Sequence, residues 1–203
     1  MTLSGTTLYG TAAYGGAHSG GTLFQIGTDG SGFTVLQRFF ADGAFPQAPL
    51  LPLSQSGATT LFGTCLKGGD GLGLVFGMDT AGAFTLSSTA VSGASLCAGL
   101  TSDGSATSAA TLYGVSEYDS SGAVGGTVFS LPATGGAVGA ASLTPATHGA
   151  YAVAGLTRIG AEITILQTQR AIYYGVRGVG AGLGAAPRAE TCGGPGGNHH
   201  PGV

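Results

Sequence analysis

The chain has 203 residues, 43% of them apolar, yet only 6 are Lys or Arg and 9 Asp or Glu, for a net charge of −3. That composition excludes disorder driven by charge and low hydrophobicity. The six cations are scattered at Arg38, Lys67, Arg158, Arg170, Arg177 and Arg188 and offer no basic face, so nucleic acid is not an expected partner. No apolar run approaches the roughly 18 residues of a membrane-spanning helix, and Met1–Gly5 shows neither the basic segment nor the apolar core of a signal peptide. Forty-one glycines without a three-residue period point to turns, not to collagen.

In chain order, two-residue alternation predicts strands over 6–12 and 21–28, separated by the glycine-rich loop Tyr14 to Gly20. Asp29-Gly30-Ser31-Gly32 is a hairpin signal, because aspartate can hydrogen-bond its own turn and glycine accepts positive φ. A third strand is predicted over 33–40. The short apolar segment 48–53, interrupted by prolines, is predicted to be a further strand.

The grammar then repeats. Thr7-Leu8-Tyr9-Gly10-Thr11 returns as Thr60-Leu61-Phe62-Gly63-Thr64 and as Thr111-Leu112-Tyr113-Gly114, the leucines standing 53 and 51 residues apart. Gly21-Thr22-Leu23-Phe24 returns as Gly73-Leu74-Val75-Phe76 and Gly126-Thr127-Val128-Phe129. Strands are expected at 84–89 and 137–143, Ala94 to Leu100 parallels 48–53, and a turn is expected over 101–105. Further strands are expected near 151–157 and 163–166, with Tyr173-Tyr174-Gly175 a fainter echo of the motif.

Four short strands in about 50 residues fit one blade of a β-propeller, and the predicted class is all-β: a propeller-like tandem repeat of four-stranded blades in an incomplete or open ring, with a β-solenoid as the alternative. The expected units are 1–47, 48–93, 94–148 and 149–184, followed by a flexible Gly/Pro/His tail at 185–203. In each blade the 48–53 type of strand would be innermost. The first unit then supplies three strands, and a strand near 151–157 is a candidate to complete it by circular closure. Leucines and aromatics would pack between adjacent sheets, and the glycine after the Tyr or Phe would permit close backbone approach.

These residues resemble the choice-of-anchor tandem-repeat proteins of the GloVer type. The resemblance rests on Leu8-Tyr9-Gly10-Thr11, Tyr14-Gly15-Gly16, Gly21-Thr22-Leu23-Phe24, Thr28-Asp29-Gly30, Phe33-Thr34-Val35-Leu36, Phe40, Asp42-Gly43-Ala44 and Ala48-Pro49-Leu50. It covers roughly residues 5–145, although Leu74 replaces the expected threonine in the second copy and the third loses much of its later strand. What the resemblance implies is a bacterial, exported, surface-associated repeat protein of undefined biochemical role. The export signal and terminal anchor that such proteins carry are not seen in this sequence.

No recurrent acid, base or nucleophile accompanies the motif, so no catalytic residue, metal site or cofactor is predicted. Glu117 and Asp119 are expected in a solvated turn. His18 and His148 share a site only through a long-range contact that nothing in the sequence supports, and His199 and His200 lie in the tail. Asp29, Asp42, Asp70, Asp79, Asp103 and Asp119 suggest oxygen ligands for calcium, but their glycine and serine neighbours are explained by turns. Cys65, Cys97 and Cys192 lack zinc or dithiol spacing; buried thiols are expected, with a Cys65–Cys97 bridge as the alternative.

The expected ligand-binding residues are Tyr14, His18, Tyr118 and Asp119, on polar loops where tyrosine combines apolar contact with a polar tip. The functional expectation is a noncatalytic extracellular or surface structural protein, adhesion-like, that self-associates or meets a surface polysaccharide or protein. A carbohydrate-binding module is the alternative, and a propeller-based enzyme a more distant one.

Overall fold

A computed structural model describes residues 1–40, 45–55, 57–68, 72–88, 95–105, 110–119, 121, 124–136, 139–143, 152, 154–159 and 162–165. Among them are three four-stranded antiparallel sheets, each wound in simple sequence order, and one hairpin. The first sheet contains β1 (Thr2–Ser4), β2 (Thr7–Ala12), β3 (Thr22–Gly27) and β4 (Thr34–Arg38). The second contains β5 (Leu51–Gln55), β6 (Ala58–Cys65), β7 (Leu74–Asp79) and β8 (Phe84–Ser88). The third contains β9 (Thr101–Ser102), β10 (Thr111–Tyr118), β11 (Val124–Pro132) and β12 (Gly139–Ser142), and the hairpin β13 (Leu156–Ile159) and β14 (Glu162–Ile165).

Two sequence expectations are corrected. The first sheet lacks nothing: Thr2, Leu3 and Ser4 pair with Tyr9, Leu8 and Thr7, while β13 pairs with β14 in a sheet of its own. The segment 95–100 is a linker and the strand is Thr101–Ser102, inside the expected turn. The linker is apolar because Leu96, Ala98 and Leu100 are buried, so its hydrophobicity serves packing without a strand. The tail at 185–203, together with His148, Cys192, Tyr173 and Tyr174, lies outside the described residues.

The core lies between sheets. Alternation along each strand sends one set of side chains toward the preceding sheet, its upstream face, and the other toward the next, its downstream face. Leu50, Leu61, Cys65, Leu74, Phe76 and Met78 on the upstream face of the second sheet pack against Tyr9, Leu23, Phe39 and half-buried Leu36 of the first unit. Phe62, Val75 and Leu86 on its downstream face meet Leu100, Leu112, Phe129 and Leu131 of the third. Beyond that sheet, Val115 and Ala98 pack with Ala152 and Leu156, flanked by Tyr113, Val128 and Leu143. Each fully buried leucine or phenylalanine contributes about 2 kcal/mol by leaving water.

The motif glycine has a specific task. Gly10, Gly63 and Gly114 pair across to Phe24, Phe76 and Phe129. A β-carbon on them would lie 2.7, 2.5 and 2.3 Å from the ring's Cζ. The space therefore holds a phenylalanine ring and not, as expected, a neighbouring backbone.

The linkers also repeat. Phe45 and Ser95 both adopt left-handed backbone, with φ of 66° and 63°. Each ties two units together: Phe45 donates its amide to Gly20 O at 2.8 Å and accepts from Leu66 N at 3.1 Å, while Ser95 donates to Leu72 O at 3.0 Å and accepts from Glu117 N at 3.2 Å. A non-glycine residue in this conformation costs roughly 1–2 kcal/mol, which these paired bonds offset. Thr64 Oγ1 adds a buried bond to Ala98 O at 3.0 Å, again between units.

Candidate functional site

In a four-stranded antiparallel sheet, the turn between the second and third strands emerges at the same end as the exit from the fourth. The β2–β3 loop and the β4–β5 linker therefore meet. Gly21 N donates to Gly15 O at 3.0 Å, Ser19 N to Gly16 O at 3.3 Å, and Phe39 N to Gly21 O at 2.9 Å, which fixes the loop beside the linker. Tyr14 then lies against Phe45, with ring centroids 5.2 Å apart at 55°. His18 stacks on Phe40 at 3.9 Å and 20°. From the β6–β7 loop of the next unit, Lys67 Nζ sits 5.8 Å from the Phe45 centroid, within cation–π range.

Tyr14 and Phe40 are 52% and 57% exposed, and His18 and Lys67 are exposed as well. Neighbouring loop segments thus present two aromatic platforms, Tyr14 against Phe45 with a cation at its edge, and an imidazole stacked on Phe40. Such a platform can stack on a flat apolar ring face and hydrogen-bond at its rim.

Of the four expected ligand residues, Tyr14 and His18 both lie on the β2–β3 loop, each against its own aromatic partner. Tyr118 ends β10 and Asp119 follows it, at the corresponding end of the third sheet. Asp119 is a turn former: its Oδ1 accepts from Ser121 N at 2.9 Å and Ser121 Oγ at 2.6 Å. Sequence reasoning missed Phe40, Phe45 and Lys67 as site residues. Phe40 carried a signal in the family-like pattern, but its partnership with His18 depends on which loop ends share an edge of the sheet.

Glu117 departs from expectation. It is 2% exposed and lies at the β10 bulge between Ser116 and Tyr118, where the register with β11 shifts, not in a solvated turn. Burial pushes its carboxyl above the ordinary glutamate range, and a side-chain hydrogen bond with Tyr118 offsets part of that. Its Oε1 has no hydrogen-bond partner. Leu66 holds the corresponding place in the second unit, since both donate their amide to the left-handed linker residue.

The other described aspartates are turn formers too. Asp29 Oδ1 accepts from Ser31 N at 2.9 Å and Ser31 Oγ at 2.8 Å, bonds that hold its carboxyl below the ordinary range. Asp79 Oδ1 accepts from Ala81 N at 2.9 Å and Ala83 N at 2.8 Å. Asp103 accepts from Ser105 N at 2.8 Å and Thr111 N at 3.1 Å, and Arg158 donates to its carbonyl. Cys65 is a buried free thiol whose pKa burial pushes up to about 12, so no Cys65–Cys97 bridge forms.

Among the described residues no three His, Cys, Asp or Glu side chains converge as a metal site, and no helix is long and apolar enough to cross a membrane. Comparison of the chain with family models, curated proteins and solved structures gives no match.

Proposed function

We propose that this protein is a noncatalytic repeat scaffold of the bacterial cell surface or extracellular space, displaying its loop ends for recognition. The observation that carries this reading is where the recurring residues go. The motif glycines house phenylalanine rings, the leucines and aromatics fill the space between sheets, and Asp29, Asp79, Asp103 and Asp119 hold turns. What repeats builds spacing, and what differs between units lies in the loops. The surface location rests on the resemblance to GloVer-type proteins, as does the propeller-like arrangement of the sheets.

The pairs Tyr14–Phe45, with Lys67 beside it, and His18–Phe40 favour a carbohydrate as the ligand, since exposed aromatic surface with polar edges suits sugar rings. The test is a glycan array with the wild type, Tyr14→Ala and Phe40→Ala, followed by mass analysis of the bound sugar. Saturable binding that both substitutions weaken tenfold or more, with the sugar recovered unchanged, is the expected result. Chemical alteration of the sugar overturns the noncatalytic reading. Absence of binding across the array removes carbohydrate as the ligand.

A further inference from the structure

On the first sheet Leu8, Gly10, Phe24 and Ile26 hold the positions that Leu61, Gly63, Phe76 and Met78 hold on the second and Leu112, Gly114, Phe129 and Leu131 on the third. In every case the leucine pairs across to the aliphatic residue and the glycine to the phenylalanine. This set is the upstream face. On the second sheet the preceding sheet closes it so fully that Leu61, Phe76 and Met78 have 0% exposure. On the first sheet Leu8, Phe24 and Ile26 are half-buried and no described element covers them.

The open face extends further. Leu3 pairs across to Leu8, Met1 Cγ lies 3.2 Å from where a Gly10 β-carbon would be, and the Phe33 ring lies 5.6 Å from Phe24. Met1, Leu3 and Phe33 are 68%, 56% and 61% exposed. A contiguous apolar surface of this kind marks an interaction site.

We propose that this face is the contact surface of a homodimer, on which a second copy of the chain lays its own first sheet about a two-fold axis. Three observations select that occupant. Within the chain, the same residue set is closed twice by the face of a four-stranded sheet of this repeat, so a sheet of a second copy is the kind of partner the fold already uses, here presented by its upstream face. In a second copy, the downstream faces are taken by the second sheet, the third sheet and the hairpin. The upstream faces of the second and third sheets are taken as well. Among the described four-stranded sheets, what remains to offer is the same face of the first sheet, which makes the contact isologous.

The third observation is charge. No side chain among Leu3, Leu8, Phe24, Ile26 and Phe33 is ionisable, so the centre of the face carries no charge, while exposed Arg38, which pairs across to Thr22, is the side-chain cation at the end of this face. Four strands about 4.8 Å apart and about five residues long give a footprint near 19 by 17 Å. Both copies together would cover roughly 650 Å² of footprint, the size of a weak, transient contact, so the dimer is expected toward the upper end of the concentration range tested.

Sedimentation velocity on the full chain from about 1 to 200 µM tests the proposal. The wild type is expected to pass from one to two chain masses and no further. Phe33→Glu and Leu3→Glu, both at exposed positions that the fold tolerates, are expected to remain at one mass throughout with unchanged circular dichroism. Tyr14→Glu, at the loop end, is expected to dimerise like the wild type. A wild type that stays at one mass at 200 µM overturns the proposal, as does growth beyond two masses. Dimers that survive both first-sheet substitutions, or that Tyr14→Glu abolishes, overturn it equally.

Discussion

Gly63 has no room for a side chain, and what surrounds it decides what a methyl group would cost. Its β-carbon would meet Phe76 Cζ at 2.5 Å and Leu50 Cδ2 at 2.9 Å. Phe76 is fully buried and held by Phe39 at 5.2 Å and by Phe84 at 6.4 Å, so the ring has nowhere to go. Gly10 meets the equivalent ring at 2.7 Å, but Phe24 is half-buried on an open face and can swing outward. Gly63→Ala is therefore expected to destabilise the chain by about 2–3 kcal/mol, and Gly10→Ala by less than about 1 kcal/mol. Urea denaturation of the two variants beside the wild type measures the difference, and equal costs would contradict the assignment of the open face. The motif glycine was plain in the sequence. Its purpose was not, because the ring it houses lies on another strand and only the register of β2 with β3 brings them together.

At the scale of elements, β10 is the strand that the repeat has altered most. Where β6 ends and Leu66 turns inward, β10 bulges and places a carboxyl group in the same buried space, with one oxygen unpartnered. Because the folded-state pKa of Glu117 is raised, the protonated acid suits the fold and the carboxylate does not. Stability is then full below the ordinary carboxylate range. It falls as pH rises through that range toward the folded value, at about 1.4 kcal/mol for each unit by which the two values differ. Urea midpoints from pH 4 to 8 should decline for the wild type relative to Glu117→Gln, in which the acid is replaced by a neutral amide. Glu117→Leu, which restores the character of Leu66, should be more stable than the wild type by about 1–2 kcal/mol at pH 8. A wild type that gains stability over this window relative to Glu117→Gln would refute the assignment.

The strands themselves were largely legible, since alternation and Asp-Gly turns fall where β2, β3, β6, β7, β8, β10 and β11 lie. The exceptions have physical reasons. β1 is three residues long, too short to show alternation, and is recognised only by its pairing with β2. The apolar stretch before β9 read as a strand because burial and strand formation leave the same mark in a short segment. Phe45 gave no sign of its left-handed backbone, because a sequence shows glycine where φ is positive by preference and not a phenylalanine held there by bonds to two units.

Over the whole molecule, the sheets are not equally sheltered. Among the described residues, the second is enclosed by four-stranded sheets on both faces, the third by one sheet and a hairpin, and the first by one sheet. In a chain of repeats, stability is the sum of what each unit gains from itself and from its neighbours, so opening should begin at the unit with fewest. Hydrogen exchange at low protein concentration should find the amides of β6 and β7 slowest and those of β2 and β3 at least about tenfold faster. That ratio corresponds to about 1.4 kcal/mol of local opening free energy. The two-fold contact adds a second requirement. If a second copy closes the first sheet, raising the concentration well above the dimer's dissociation constant must slow β2 and β3 while leaving β10 and β11 unchanged, because no other sheet gains a neighbour. Uniform exchange across all three sheets would mean that they open as one unit, against the gradient. A gradient that persists unchanged at high concentration would keep the repeat energetics and dispense with the dimer.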